Sequence, residues 1–335
     1  MTALVVERAG PGVTIQDGGR HGHLRHGVTV AGPMDPAAFA TVHAAVGNPP
    51  GAAAIEVSLG GLDLAARDGA VDLAVIAPGF DVRHDGTLLP SLATVRLEAG
   101  GHISLRPGSV GAWAYVAIAG RIALPPVLGS LATHTRSGLG GLDGRALEAG
   151  DVLPLVDLRP REPAAARLVA PWLDPSPAPI RVLLGPQDDH FAADQIAAFL
   201  ARDWTVSPRS DRMAYALDGT PLRHAAGHDI VSDGVAHGAI QVPGAGLPFV
   251  LMADRQPTGG YPKIANVIGA DLGRLAQLRP GASLRFQAVS LTQAVAARRA
   301  LAERLTGGPA REAIVRTVFT SEFLLSCNLI STWSE

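Results

Sequence analysis

Asp254-Arg255-Gln256-Pro257-Thr258-Gly259-Gly260-Tyr261-Pro262-Lys263 is the densest polar stretch of the chain, and it ends on the only lysine. The 28 basic side chains are otherwise all arginine. A drift from Lys to Arg empties surfaces of lysine, but it cannot replace a compact, rotatable and titratable ammonium where one is needed. Lys263 is therefore the first candidate for chemistry. The Gly-Gly pair beside Asp, Arg and Tyr has the makings of a binding loop, with Lys263 expected to project into a concave pocket. A lone lysine surviving on a solvated loop is the competing reading.

Outward from this loop, 335 residues suffice for two domains, each with its own core. A composition of 47% apolar and 17% charged residues describes an ordinary globular protein. A net charge of −2 with no basic cluster argues against nucleic acid as a partner. The start, Met1 to Arg8, has no apolar core behind a basic segment, and no run is long enough to span a bilayer. A cytoplasmic location and no membrane partner are expected. A single cysteine, Cys327, forbids an internal disulfide and any Cys-based zinc site.

Short β-branched or alternating segments bounded by Gly or Pro recur about every ten residues, as in barrels and sandwiches. They are Val13 to Gln16, Ala54 to Leu59, Val71 to Ala77, Thr94 to Glu98, His102 to Arg106 and Trp113 to Ala119. One helix interrupts them, with Asp35 as cap, Pro36 in the first helical position and Gly47 as its end. Residues 161–179, rich in Pro and Ala, read as a linker between a domain at 1–160 and another at 180–305, with 306–335 a peripheral tail. The second half is expected to hold strands at Ile180 to Leu184, Trp204 to Ser207, Met213 to Leu217, Asp229 to Ser232, Ala239 to Val242, Phe249 to Ala253 and Ser283 to Val289. Helices are expected at Asp189 to Arg202, Ala270 to Gln277 and Leu291 to Leu305.

Because Lys263 is unique, lysine-dependent motifs reduce to simple checks. Pro262 and Ile264 flank it where a phosphate-cradling loop needs Gly before and a hydroxyl after. Tyr-Pro-Lys-Ile lacks the Met-Lys-Met character of a biotin carrier, so no covalent biotin is expected on this chain. There is no Gly-Gly-Ser-Ser-Gly amidase loop and no G-x-S-x-G elbow. His21, His23 and His26 are spaced like ligands, as are His224, His228 and His237. No Cys or carboxylate pair completes either set, and no metal is expected.

Three blocks of the second half could meet if its strands close into one barrel: Ser210-Asp211-Arg212-Met213, Gly238-Ala239-Ile240-Gln241-Val242-Pro243 and the lysine loop. Together with Gly185-Pro186-Gln187-Asp188, Ile15-Gln16-Asp17-Gly18-Gly19-Arg20, Gly32-Pro33-Met34-Asp35, Val46-Gly47-Asn48 and Ala54-Ile55-Glu56, they resemble the family of 5-oxoprolinase C subunits. That family is also called allophanate hydrolase subunit 2, and it is related to the carboxyltransferase domain of urea carboxylase. The resemblance runs from about Val5 to Val289. It implies a mainly β fold with a few helices, made of two packed cyclophilin-like β-barrel domains. It also implies the B and A subunits of 5-oxoprolinase as partners in an ATP-dependent opening of 5-oxoproline to glutamate, with ATP held mainly by a partner. Alternatives within the resemblance are carboxyl transfer to urea-like amides with separate biotin proteins, and a regulatory, non-catalytic pairing with the B subunit. The chain departs from the family pattern at Ala214 and Ala216, where Gly and Arg are expected, and at Pro257, where Thr is expected and a backbone donor is lost.

On this reading Lys263 and Arg255 stabilise a phosphate or oxyanion, Asp254 orients Arg255 or acts as base, and Tyr261 donates to substrate. Ser210, Asp211, Arg212, Gln241, Gln256, Thr258, Gly259 and Gly260 are the expected substrate-binding residues, the glycines by letting backbone amides approach. Asp254 with Arg255 also reads as a salt bridge at a strand end, and Ser210 to Arg212 as a turn with local hydrogen bonds. Asp35 reads as a helix cap, and Asp17 with Arg20 as a turn clamp.

Overall fold

The computed structural model describes residues 1–160 and 165–314. It is mainly β, with four α-helices among the described residues: α1 (Pro36–Val46), α2 (Ala193–Ala201), α3 (Leu272–Ala276) and α4 (Leu291–Gly307).

The first half is a pair of seven-stranded antiparallel sheets. One runs in the order Arg121–Ile122, Val152–Val156, Ala3–Ala9, Leu62–Arg67, His102–Pro107, Phe80–His84, Thr87–Leu89. The other runs Thr14–Gln16, Ala54–Val57, Ala114–Ile118, Val71–Ile76, Leu92–Leu97, Ala166–Val169, Ala310–Glu312. Leu62–Arg67 alternates between buried and more exposed positions, as a strand with one wet face must. Val71–Ile76 and Ala114–Ile118 are buried at every position, because their sheet is covered on both sides. Leu73, Val75, Val116 and Ile118 pack with Leu4, Val6 and Ile103 from the facing sheet. The intervening Ala74, Ile76, Tyr115 and Ala117 pack with α1 and the second half.

The second half is one eight-stranded sheet: Ser283–Leu284, Trp204–Val206, Ala214–Asp218, Phe249–Leu251, Ala239–Gln241, Lys263–Val267, Ile180–Leu184, Phe286–Ala288. Its two outermost strands are separated only by Arg285, so one stretch of chain serves both edges and the sheet nearly closes into a barrel. Outside it lies a two-stranded ribbon, Asp233–Gly234 with Thr258–Gly259.

Helix α1 begins and ends as its sequence dictates. The Asp35 carboxylate accepts from the amides of Ala37 and Ala38, Pro36 takes the first position, and Gly47 closes the helix in the left-handed conformation at φ 64°. Helix α3 approaches that cap so closely that a Cβ on Gly273 would lie 2.3 Å from Asp35 Oδ1.

Several boundaries need correcting. Residues 161–179 are not simply a linker, since Ala166–Val169 extends the second sheet beside Leu92–Leu97. The tail begins later than 306, because α4 runs to Gly307 and Ala310–Glu312 pairs with Ala166–Val169. The rest of the tail, Cys327 included, lies outside the described residues. Asp229 to Ser232 forms no strand, and pairing starts at Asp233. Lys263 is the first residue of a strand rather than part of a loop, and Asp189 to Arg202 is helical only from Ala193 to Ala201, because Phe191 leaves the helix path to fill the core.

Candidate functional site

The barrel strands set the site by their register. Ala214, Ala239 and Leu251 form a small cluster with Val235, whereas Tyr215, Ile240 and Val250 belong to the main core. Period-two alternation thus places Gln241, two residues after Ala239, on the face that the ribbon covers. Gln241 pairs with Lys263 across a register shift after Ile240.

Under the ribbon the Lys263 side chain is 3% exposed, and its Nζ donates to Asp233 Oδ2 at 3.0 Å. Asp233 is 55% exposed, so the pair consists of a buried amine beneath a carboxylate that faces solvent. The Lys263 hydrogen bond, then the Gly234 amide, hold the Asp233 carboxyl below its ordinary value. The Lys263 backbone is clamped by Gln187, whose Oε1 accepts from its amide at 3.2 Å and whose amide donates to its carbonyl at 3.1 Å.

Two amide side chains share this enclosure. Gln241 Nε2 donates to Tyr261 O at 3.4 Å, and Gln256 Nε2 donates to Gln241 Oε1 at 3.4 Å, both near the limit of a hydrogen bond. Gln256 Oε1 and His237 Nε2 are enclosed with no partner. Burial first, then Arg255 and Arg212, push His237 down to about 3, so its ring is neutral. Gly259 fits against Gln241 for lack of a side chain, since a Cβ there would stand 2.5 Å from Gln241 Nε2. Thr258 lies in the ribbon, Gly260 O accepts from the Ile230 amide at 2.8 Å, and Tyr261 is 42% exposed.

The other expected residues gather elsewhere. Ala214 pairs with Leu251, whereas Lys263 pairs with Gln241 at the opposite ends of these strands. At about 3.3 Å per residue, Asp211-Arg212 and Asp254 are therefore offset from the lysine by roughly 13 to 17 Å of chain. The barrel closes as expected, and the lysine stretch touches both other blocks at opposite ends, Asp254 meeting Arg212 and Lys263 with Gln256 meeting Gln241.

Arg212 is fully engaged between the halves. Its Nε and Nη2 grip Asp254 at 2.9 Å each, Nη1 donates to Glu56, and Nη2 donates to Gly32 O at 2.7 Å. Glu56 Oε2 also accepts from the Met34 amide at 2.8 Å and from the Tyr115 hydroxyl at 2.7 Å. Burial pushes Glu56 up from its ordinary value, and Arg212 opposes that. A guanidinium and two carboxylates so completely engaged describe an interdomain pin, not an open fork for substrate. Asp254 is thus held by Arg212 and does not orient Arg255, whose Nε donates to Val235 O at 3.1 Å. Burial lowers Arg255 from its ordinary value. Asp211 caps the turn through the Met213 and Ala214 amides and pairs with Arg136 at 2.8 Å, while Ser210 Oγ donates to Ala216 O at 3.3 Å. Asp17 and Arg20 do not clamp each other. Asp17 accepts from Gly19, Ser130 and Leu131, and Arg20 donates to the carbonyls of Val127 and Ala132.

Residues 26–288 match the family model for the carboxyltransferase domain, subdomain A and B. This chain belongs to the carboxyltransferase-domain family. It is 38% identical over 296 residues to the C subunit of 5-oxoprolinase from Escherichia coli (strain K12), covering 88% of this chain and 94% of that protein. The crystal structure of TTHA0988 matches at a TM-score of 0.75 with 33% identity, over 86% of this chain and 55% of that one. The crystal structure of the K. lactis urea amidolyase matches at a TM-score of 0.83 with 27% identity, over 91% of this chain and 20% of that one. The chain thus spans about half of TTHA0988 and a fifth of the amidolyase. The resemblance read from the S-D-R-M, G-A-I-Q-V-P and D-R-Q-P-T-G-G-Y-P-K blocks holds.

Within this carboxyltransferase-domain chain, sequence reasoning passed over Asp233 and Tyr115, weighed His237 only as a metal ligand, and gave Gln187 and Glu56 no role beyond the family pattern. Glu56 carries a signal, as a lone acid in the apolar run from Ala53 to Val57, and such a group must be paired when buried. Asp233 carries none, since it lies among other polar loop residues. Among the described residues no cluster of three or more His, Cys, Asp or Glu is placed to hold a metal, and no helix is long and apolar enough to cross a membrane.

Proposed function

We propose that this chain is the C subunit of an ATP-dependent 5-oxoprolinase, working with the A and B subunits of that enzyme to open 5-oxoproline, or a closely related lactam, to glutamate. The observation that carries this reading is a match over nearly the whole length of a 5-oxoprolinase C subunit, joined to an enclosed amine and an unpartnered amide oxygen, Gln256 Oε1. A lactam presents one N–H and one C=O on the same edge. Gln256 Oε1, lacking a donor, suits the N–H, and Gln241 Nε2 suits the carbonyl.

A lactam is a poor electrophile in water. Phosphorylation of its oxygen by ATP leaves a carbon that water attacks, and ring opening then releases phosphate and glutamate. The chain carries no phosphate-cradling lysine loop, so the nucleotide is assigned mainly to a partner. Lys263 supplies the charge on which phosphate or oxyanion settles once the ligand displaces Asp233, an effect worth about 3 kcal/mol. Asp254 and Arg212 position the loop, and Tyr261 at its exposed end meets the substrate or the partner.

The test is to purify the chain with its A and B partners and to measure glutamate formed from 5-oxoproline with ATP. Equimolar glutamate and ADP are expected. A second reading, carboxyl transfer to a urea-like amide, is favoured by the likeness to the urea amidolyase fold. It would replace the first if glutamate is absent and avidin-sensitive fixation of bicarbonate is found with separate biotin proteins.

A further inference from the structure

A cavity of about 930 Å³ lies in the seam between the two halves, and none of its lining residues belongs to the Lys263 enclosure. Its walls come from Pro78 and Leu92 of the first half, Leu278 and Leu284 of the second, and the segment Trp172 to Pro179 that joins them. That size and that place, an apolar cleft between domains, suit a small-molecule site. The joining segment alternates Pro175, Pro177 and Pro179 with small residues, which stiffens the wall.

The lining holds Arg274, Arg279 and Arg285 against Asp35, Asp174 and Asp203, so its formal charges balance, but the cations and carboxylates are not all paired with one another. Arg274 pairs with Asp271 behind the wall, a carboxylate it shares with Arg181, while Arg285 is matched by Asp203. Arg279 pairs with no carboxylate among the described residues, and its guanidinium rests on the carbonyls of Gly108, Val110 and Gly111. Arg274 Nε is buried without a hydrogen-bond partner. Asp35, on the floor, is occupied by the amides of Ala37 and Ala38 and by Gln277. The carboxylate left over in the lining is Asp174, on the exposed joining segment.

We propose that the seam cavity binds a small amphipathic organic anion, its carboxylate on Arg279 and Arg274 and its apolar body against Leu92, Leu278 and Leu284. Planar guanidinium groups grip oxyanions such as carboxylate through paired hydrogen bonds. The site is separate from the lactam site proposed above and stands whether or not that reading does.

The test is titration calorimetry on the whole chain with octanoate, with octylammonium as the charge-reversed control. Octanoate is expected to bind one to one and octylammonium at least tenfold more weakly. Arg279→Met should weaken octanoate at least tenfold, and Ser91→Trp, which fills the cavity, should abolish binding. Lys263→Ala should leave it unchanged. If Arg279→Met fails to fold by far-UV circular dichroism, Arg274→Gln carries the same test. The proposal is overturned if octanoate does not saturate, if octylammonium binds equally well, or if Ser91→Trp binds like the parent chain.

Discussion

Lys263 owes its position to a strand, not to a flexible loop, and that changes what its removal should do. In the assembled enzyme Lys263→Ala is expected to lower glutamate formation at least a hundredfold, measured as kcat with ATP saturating, while the melting temperature moves by only a few degrees. Asp233→Asn separates the roles, because it frees the amine without removing it. It should keep turnover within about tenfold of the parent, and a loss as large as that of Lys263→Ala would mean that the pair, not the amine, is what matters. His43, buried in α1, is pushed down to about 4 by burial. The unfolded chain takes up a proton below about pH 6.5 that the folded chain refuses, so stability is lost as pH falls, and the loss stops near pH 4 where both forms are protonated. Between pH 7 and pH 5 this one ring removes about 2 kcal/mol. Urea midpoints at the two pH values, compared with His43→Gln, should show a fall smaller by that amount in the variant.

At the level of elements, the ribbon and the seam pin respond differently to substitution. Gly259→Ala places a methyl group 2.5 Å from Gln241 Nε2, the end of a side chain that can turn away. The fold should persist with KM for the lactam raised several-fold and kcat little changed, a result checked by steady-state assay. Arg212→Met leaves Glu56 and Asp254 buried without their cation, and a cost of about 3 to 5 kcal/mol is expected in chemical denaturation. Adding Glu56→Gln should return part of it. The same elements show what the sequence could and could not convey. Helix α1 was legible end to end because Asp35, Pro36 and Gly47 are local signals. The Lys263–Val267 strand was hidden because Lys263 and Asn266 break its apolar pattern, and their partners Asp233 and His237 are distant in sequence. Arg212 read as a substrate ligand because no local cue reveals a carboxylate, Glu56, far upstream in the other half.

For the whole molecule, the second sheet of the first half has one face in each of the two main cores. Melting either half strips that sheet of half its cover, so the halves are expected to unfold together. Urea transitions followed by far-UV circular dichroism and by tryptophan fluorescence should coincide, and two separated transitions would show that the seam transmits little. The two-part β architecture was foreseeable from strand spacing together with the family motifs. The closure of the second half was implied by the family motifs alone, since locally it rests on a single residue, Arg285, between two short strands.

That closure has a consequence for assembly. A barrel whose first and last strands are one continuous piece leaves only two short edges, of two and three residues, to a neighbour. Among the described residues the first half ends one sheet at Thr87–Leu89, a rim carrying the exposed Leu88. Another protein that docks by extending a sheet at Thr87–Leu89 would pair with the amino-terminal half, not with the barrel that carries Lys263.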